Sequence, residues 1–304
     1  MMKRILLPTD FSDNSWNAID YATELFKDED CIFFLLNAYS KIIYESVHIS
    51  DVPHKRSIEN TIKTNAITNL EHIKKTIKHT TINERHKFNI IASFGTLTEV
   101  IQEFVKSKKI DLVIMGTKGA SGTKEVFMGS NTVRIINTIK NCPVIAVPEN
   151  FTFISKPSEI TFATDFTHFY SKEELQPIVE LAKSFDATIR IVYIQQQKGV
   201  LTEEQKFNLR MLQKYFKDIT YYQHTLSKSD SISKSIQVFS EELDIYLLAM
   251  LNYKHSFMDR LTREPVIKNM AFHTQIPLLV IPELGISSAL SKTIKSNSKL
   301  EEIK

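Results

Sequence analysis

The residues that could do chemistry in this chain are concentrated in one glycine-rich stretch, residues 115–132. The stretch holds four of the seven glycines and directly follows the apolar run at residues 110–114. A strand that ends in a glycine loop and restarts as a helix presents unpaired N–H groups and the positive end of the helix dipole. These groups bind phosphate, so the stretch predicts a phosphate site.

The spacing inside this stretch favours a ligand over the alternative, a glycine loop that binds nothing. Gly116 and Gly119 allow a sharp turn at the carboxyl end of a strand, where open parallel sheets bind their ligands. Gly129 and Ser130 then begin a helix, and the hydroxyls of Ser130 and Thr132 add hydrogen-bond donors. The coincidence of these features supports the phosphate site.

Other nucleotide motifs and catalytic arrangements are absent from the sequence. It contains no G-x-x-x-x-G-K-[ST] loop, and no G-x-G-x-x-G follows the first strand. We predict no enzyme and no catalytic residue, because no nucleophile arrangement or general base is evident. His72, His79 and His86 recur every seven residues, which favours an exposed helix surface over a metal site. Any Mg²⁺ is expected to arrive with a nucleotide, held by phosphate oxygens.

The glycine stretch belongs to an alternation of short β-branched runs and amphipathic segments, the pattern of strand–helix–strand units on a parallel sheet. In the first half this pattern predicts five strands, at residues 4–8, 31–38, 88–94, 111–115 and 144–147. Thr96 and Glu99 form a T-x-x-E capping box at the start of one helix, and Ser12 or Asp13 caps an earlier helix. The stretch therefore follows the fourth strand of a compact domain.

The second half of the chain repeats the first. Residues 4–12 reappear as residues 159–167, and residues 141–149 reappear as residues 275–283. The chain is therefore predicted to contain two copies of one domain.

Two modest domains fit the length of 304 residues and the hydrophobic content of 42%. We predict that they occupy residues 1–150 and 151–284, followed by a largely disordered tail at residues 285–304. The first copy is the longer one. We place its excess in the polar residues 40–65, between the second and third strands.

Composition and charge exclude several classes of protein. A net charge of +3 without a basic stripe argues against nucleic acid, and no apolar run reaches the roughly 18 residues of a membrane span. The first residues lead straight into a strand pattern, so we predict no signal peptide and a cytoplasmic location. Cys31 and Cys142 fit neither a disulfide framework nor a metal site, and we predict that both are buried in the core.

The glycine spacing Gly116-x2-Gly119-x9-Gly129-Ser130 resembles that of the universal stress protein family, specifically its ATP-binding branch. Residues 8–10 and 142–143 add to the resemblance, which covers nearly the whole chain through both repeats. It implies an α/β fold of two tandem doubly wound domains, adenine nucleotide alpha hydrolase-like, each a five-stranded parallel sheet in the order 3-2-1-4-5 flanked by helices. It also implies ATP as the ligand and a role in the stress response.

The resemblance further implies which residues would contact the nucleotide. Those on the nucleoside side lie at the ends of predicted strands: Pro8, Thr9, Asp10, Ala38, Met115 and Gly116. Those on the phosphate side lie in the loop and at the helix start: Lys118, Gly119, Gly129, Ser130, Asn131 and Thr132. The Asp10 carboxylate would accept hydrogen bonds from ribose, and the Ala38 backbone would touch adenine. The alternatives are a helix-capping or turn role for Asp10 and a solvated surface position for Lys118.

The second repeat departs from this pattern at every glycine. Counting back from Pro277, aligned with Pro143, places four residues opposite Gly116, Gly119, Gly129 and Ser130: Met250, Tyr253, Arg263 and Glu264. Alignment on the strand pairs Gly116 with Ala249 instead and recovers no glycine. Asp165 occupies the position equivalent to Asp10, where we expect it to act as a structural cap. We therefore predict one nucleotide site per chain, in the first domain.

Two classes of function stay open on the sequence. The favoured one is a nucleotide-dependent regulatory protein of the stress response, with an unknown regulatory protein as partner. The alternative is an interaction scaffold that binds no nucleotide, and a slow ATPase is third because no catalyst is visible. The resemblance also implies that the final strands, residues 144–147 and 278–281, pair within the chain, and it leaves a homodimer of whole chains open.

Overall fold

The computed structural model divides the chain into two compact units, Met1–Ile154 and Ser155–Lys304. The described residues are 2–39, 55–80, 83–118, 128–195, 200–227, 232–253 and 276–284. The predicted tail at residues 285–304 lies outside them, as do Gly119 and residues 40–54 of the predicted excess.

The first unit contains a five-stranded parallel sheet with the strand order β3-β2-β1-β4-β5. Its strands are β1 (Lys3–Pro8), β2 (Cys31–Tyr39), β3 (His86–Phe94), β4 (Leu112–Gly116) and β5 (Val144–Val147). Its described helices are α1 (Asp13–Leu25), α2 (Lys55–Thr80), α3 (Leu97–Ser107) and α4 (Ser130–Thr138). The five strands lie where the sequence predicts them, with small shifts at their ends.

The central strands of this sheet are buried on both faces, as the apolar strands of parallel sheets usually are. Every residue of β4 is buried, and so are the last four residues of β1. Ser12 accepts a hydrogen bond from the Ser15 N–H at the start of α1, and Thr96 and Glu99 form a reciprocal capping box at the start of α3. The predicted capping box and the predicted cap at Ser12 are confirmed.

The second unit has the same architecture, with the strand order β8-β7-β6-β9-β10 in a parallel sheet. Its strands are β6 (Glu159–Thr164), β7 (Thr188–Gln195), β8 (Tyr221–Ser227), β9 (Leu247–Asn252) and β10 (Leu278–Pro282). Its described helices are α5 (Lys172–Phe185), α6 (Glu203–Tyr215) and α7 (Ile232–Glu242). Both units therefore have the order 3-2-1-4-5, which confirms the predicted fold class.

The two units differ in the helix between their second and third strands. In the first unit α2 has 26 residues, whereas α6 has 13. Part of the extra length therefore lies in a helix that continues to Thr80, beyond the residues 40–65 predicted to hold it.

The predicted histidine surface is wrong at one position. His72 and His79 are exposed on α2, but His86 lies in β3 and is 9% exposed. Its Nε2 lies 3.0 Å from the carbonyl oxygen of Phe26. The seven-residue spacing misleads because the helix ends before His86, which belongs to the core of the sheet.

The two cysteines are buried with free thiols, as predicted for Cys31 and Cys142. Among the residues that the structure describes, no helix combines the length and the apolar content that a bilayer crossing requires.

A tight turn follows the first strand of each unit. A phenylalanine in this turn adopts a left-handed backbone, with φ of 66° at Phe11 and 58° at Phe166. The preceding aspartate accepts a hydrogen bond from the N–H two residues later, at 3.1 Å for Asp10 and 3.0 Å for Asp165. A left-handed backbone is unfavourable for a bulky residue, so the aspartate helps to hold a conformation that phenylalanine alone would avoid.

Candidate functional site

The residues predicted to contact the nucleoside lie at one edge of the first sheet, at the carboxyl ends of three adjacent strands. Pro8 ends β1, Ala38 lies near the end of β2, and Gly116 ends β4. Thr9 and Asp10 directly follow β1, and Asp10 is exposed. This edge is where open α/β sheets bind their ligands.

Gly116 is a glycine because α1 passes directly against it. A Cβ atom at this position would lie 2.8 Å from Cγ of Asn14 and 3.0 Å from the Asn14 carbonyl oxygen. The Nδ2 of Asn14 donates a hydrogen bond to the carbonyl oxygen of Lys118 at 2.9 Å, which fixes the chain just beyond β4. Sequence reasoning missed Asn14, because only the folded chain brings α1 against the end of β4.

Helix α4 begins without a side-chain cap. Its N-cap residue is Gly129, whose N–H donates to the carbonyl oxygen of Thr117 at 2.7 Å. A Cβ atom at Gly129 would lie 3.3 Å from the same oxygen, so glycine lets the helix start close to the end of β4. The first N–H groups of a helix lack an intrahelical acceptor, and Ser130 and Asn131 are exposed. The helix start can therefore hold an anion through backbone donors.

Thr132 has a different role from the one predicted for its hydroxyl. The side chain is 2% exposed, and its Oγ1 donates to the carbonyl oxygens of Gly116 at 3.0 Å and Thr117 at 3.2 Å. The hydroxyl thus joins the first turn of α4 to the end of β4. The backbone N–H of Thr132 remains the group predicted to reach a phosphate.

Lys118 is paired with a carboxylate and is not a solvated surface lysine. Its Nζ lies 3.0 Å from Oε2 of Glu149, and its side chain is 16% exposed. The Nδ2 of Asn17 donates to the carbonyl oxygen of Pro148 at 2.9 Å and holds the chain next to Glu149. No pattern in the sequence signals Asn17 or Glu149.

Asp10 has the turn role that the sequence left as an alternative. Its Oδ1 accepts hydrogen bonds from both the N–H and the hydroxyl of Ser12. The neighbouring Thr9 is buried, its Oγ1 lies 2.8 Å from Oγ of Ser15, and its carbonyl oxygen accepts from Asn37 at 2.8 Å. This network fixes the turn at the edge of the sheet, and a ribose contact by Asp10 stays a prediction.

Metal binding by side chains alone has no support in the described part of the chain. No three His, Cys, Asp or Glu side chains there lie close enough to hold an ion.

Comparison with known proteins identifies the first half of the chain. Residues 1–148 match the sequence model of the Universal stress protein family. They form a universal stress protein domain. Universal stress protein MJ0531 of Methanocaldococcus jannaschii is 28% identical over 150 residues, which are 48% of this chain and 82% of that protein. The predicted family is confirmed for this half.

Solved structures extend the likeness in fold beyond the universal stress protein domain. A universal stress protein from Archaeoglobus fulgidus matches with a TM-score of 0.63 and 17% identity, over 92% of this chain and 96% of that chain. At this identity the likeness shows the fold alone. A universal stress protein solved in complex with cAMP is 17% identical, with a TM-score of 0.36 over 49% of this chain and 98% of that chain. The cAMP is a ligand of that protein.

Strand pairing corrects the alignment of the second unit with the universal stress protein domain. The first strand pairs with the fourth at Leu112 in the first unit and at Leu247 in the second. The equivalent of Gly116 is therefore Leu251. The two positions predicted from the sequence are wrong: Met250 and Ala249. Counting from Pro277 fails because the second repeat is one residue shorter between its fourth and fifth strands.

Tyr253 takes the position of Lys118 in the second unit and covers the aspartate there. Its hydroxyl donates to Oδ1 of Asp165 at 2.7 Å, and its ring stacks on His168 with the centroids 4.5 Å apart. Burial raises the pKa of Tyr253, so the hydroxyl keeps the proton that it donates. Asp165 is 4% exposed, whereas Asp10 is exposed. Two of the predicted replacements lie outside the described residues: Arg263 and Glu264.

Proposed function

We propose that the first domain binds one molecule of ATP and that its occupancy regulates a protein partner in the stress response. The observation that carries the proposal is the start of α4, where a glycine cap, which has no side chain to accept a hydrogen bond, brings the first backbone N–H groups of the helix against the end of β4. A polyphosphate would accept hydrogen bonds from the N–H groups of Ser130, Asn131 and Thr132 and would gain from the helix dipole. Lys118 would add a positive charge beside them.

The nucleoside would lie along the edge formed by β1, β2 and β4. Asp10 is exposed there and would meet the ribose, while the backbone of Ala38 would face adenine. Met115 and Gly116 would pack against the nucleoside. The Oδ1 of Asn14 is buried beside Gly116 without a hydrogen-bond partner in the described structure, an acceptor that a ligand or a water molecule would satisfy.

We propose that the chain consists of two domains, at residues 1–150 and 151–284, and that only the first of them binds a nucleotide. In the second domain, Leu251 stands where the site needs Gly116, and the Tyr253 hydroxyl takes the acceptor that Asp165 would offer. The second domain would serve pairing, through its final strand and that of the first domain, and whole chains would pair further as a homodimer. The cytoplasm is the proposed location.

We propose binding without turnover. The two carboxylates named at this edge are engaged, Asp10 with the turn and Glu149 with Lys118. Mg²⁺ would bind with the nucleotide, held mainly by phosphate oxygens.

Calorimetric titration with Mg-ATP tests the proposal through one exposed residue. Ser130→Glu puts a carboxylate at the first residue of α4, where it interacts favourably with the helix dipole but repels phosphate. We expect the variant to be as stable as the wild type and to bind ATP about tenfold more weakly or worse, because like charges face each other. The size-matched Ser130→Gln should bind nearly as tightly as the wild type.

The same titration separates the alternative functions. No heat from wild-type protein at millimolar Mg-ATP contradicts the proposal and supports an interaction scaffold. Equal ATP affinity in Ser130→Glu and Ser130→Gln would show that the start of α4 does not contact the phosphates. Phosphate release during incubation with ATP would support a slow ATPase, and titration with ADP, adenosine and cAMP would define the nucleotide class.

A further inference from the structure

An ion pair lies beside the start of α4 and joins a lysine that follows β4 to a glutamate that follows β5, the last strand of the first domain. The Nζ of Lys118 is 3.0 Å from Oε2 of Glu149, and the two side chains are 16% and 48% exposed. The proposed binding of ATP assigns a role to the lysine but none to the glutamate.

The backbone of Lys118 is fixed next to the helix start. Its carbonyl oxygen accepts a hydrogen bond from Asn14 at 2.9 Å, and its Cα lies 3.7 Å from the Cβ position of Gly129. The long side chain thus begins beside the backbone donors of α4. A rotation of its flexible stem can carry the ammonium from the glutamate to an anion held there.

Glu149 is placed by its backbone and not by the ion pair alone. Asn17 on α1 donates to the carbonyl oxygen of Pro148 at 2.9 Å, and the Phe151 N–H donates to the same oxygen at 3.2 Å. Glu149 follows β5 closely and precedes the segment that leads to the second unit at Ser155. The carboxylate would therefore stay near the site if the lysine left it.

The pair is weak enough to be exchanged. Lys118 is 16% exposed, but Glu149 is about half exposed, so water and salt reach the pair and screen the attraction between the two charges. A polyphosphate at the helix start carries several negative charges and meets the backbone donors as well. It would compete well with a single carboxylate for the ammonium.

We infer that Lys118 exchanges Glu149 for the phosphates of a bound nucleoside polyphosphate, so that Glu149 sets phosphate affinity and reports occupancy to the segment after β5. The inference rests on the proposed function and specifies how the site is regulated. Since coupling is reciprocal, whatever draws Glu149 away from Lys118 must tighten polyphosphate binding by the same factor. Adenosine, which has no phosphate, leaves the pair intact.

Calorimetric titration of Glu149→Gln with Mg-ATP and with adenosine tests the exchange. Removing the competing carboxylate should tighten ATP binding about 1.5- to fivefold, the range expected for an exposed ion pair. Adenosine affinity should not change. In Lys118→Gln, ATP should bind more weakly, and adding Glu149→Gln to it should have no further effect. Glu203→Gln, which breaks the Lys206–Glu203 pair in the second unit, is the matched control and should leave both affinities unchanged.

Hydrogen exchange of the backbone amides at residues 149–153 supplies a second measurement. Because Asn17 still holds the carbonyl oxygen of Pro148, ATP should accelerate their exchange only severalfold in the wild type. Adenosine should not accelerate it, and Glu149→Gln should show the same increase without ligand. The inference is overturned if Glu149→Gln binds ATP as tightly as the wild type or less tightly, or if ATP leaves the exchange unchanged. If the wild type binds ATP, either result rejects only the partner exchange of Lys118. If the wild type does not bind ATP, the proposed function is rejected and the partner exchange with it.

Discussion

The substitution Gly116→Ala tests whether α1 is packed on the end of β4 as tightly as the structure shows. The new Cβ would lie 2.8 Å from Cγ and 2.9 Å from Nδ2 of Asn14, and 3.0 Å from its carbonyl oxygen. Overpacking of this kind typically destabilises a protein by about 1–3 kcal/mol. Alanine also restricts the unfolded chain, which offsets about 0.4–1 kcal/mol where the backbone is compatible, and Gly116 is not left-handed. We expect a net loss of about 1–2 kcal/mol in the free energy of unfolding.

Asn14→Ala provides the second arm of a double-mutant cycle. It removes two of the three close contacts and leaves the one with the backbone oxygen. Gly116→Ala should therefore cost less in the Asn14→Ala background, with a coupling of at least about 0.5 kcal/mol. Asn14→Ala itself loses the hydrogen bond to Lys118 but also removes the unpartnered Oδ1, so its own cost should be small.

Urea unfolding followed by the fluorescence of Trp16 is the assay. Trp16 is the single tryptophan of the chain and lies in α1, so its signal reports the first unit specifically. Gly129→Ala is a graded comparison, because its Cβ would meet its nearest atom at 3.3 Å, and it should cost less than Gly116→Ala. The packing explanation fails if Gly116→Ala is neutral or stabilising, or if its cost is the same with and without the Asn14 side chain.

Two further predictions concern buried ionisable groups. Burial would raise the pKa of Glu174, but hydrogen bonds and charge from His168, with two backbone N–H groups, outweigh it and lower the pKa below 4.5. Its stabilisation of the second unit is therefore complete above about pH 4.5 and is lost on acidification. The protection factors of the α5 amides, which compare each exchange rate with the intrinsic rate at the same pH, should therefore fall on acidification and should fall less in Glu174→Gln. Burial raises the pKa of Cys31 to about 12 and that of Cys142 as well, so neither thiol should react with a disulfide reagent at pH 8 until urea unfolds the chain.

The fold could be predicted largely from the sequence because its signals are local. The strands of the first unit are short and mostly apolar segments, and the capping box at Thr96 and Glu99 needs only residues three apart. The repeat extends these signals to the second unit. His86 shows where this reasoning fails: seven-residue spacing carries no information on where a helix ends.

The site could be predicted only in outline, because its remaining residues are distant in sequence. Asn14 meets Lys118 more than a hundred positions away, and Glu149 approaches Lys118 only through the order of β4 and β5. The role of Gly116 also differs from the sharp turn that the sequence predicts. A glycine is needed there because α1 approaches closely, and its backbone is not left-handed. Such contacts follow from helix packing, which a single sequence does not specify.

The left-handed phenylalanine turn after the first strand has a consequence for classifying related chains. Both repeats keep it, yet only one leaves its aspartate exposed, so the Asp-Phe-Ser/Thr sequence is a requirement of chain reversal and no evidence of a ligand. The more informative position lies two residues past Gly116, where Lys118 stands in one repeat and Tyr253 in the other. A tyrosine at that position would mark a domain in which the protein's own hydroxyl donates to the aspartate that a ligand would otherwise contact. This would hold even where the rest of the strand-end sequence is intact.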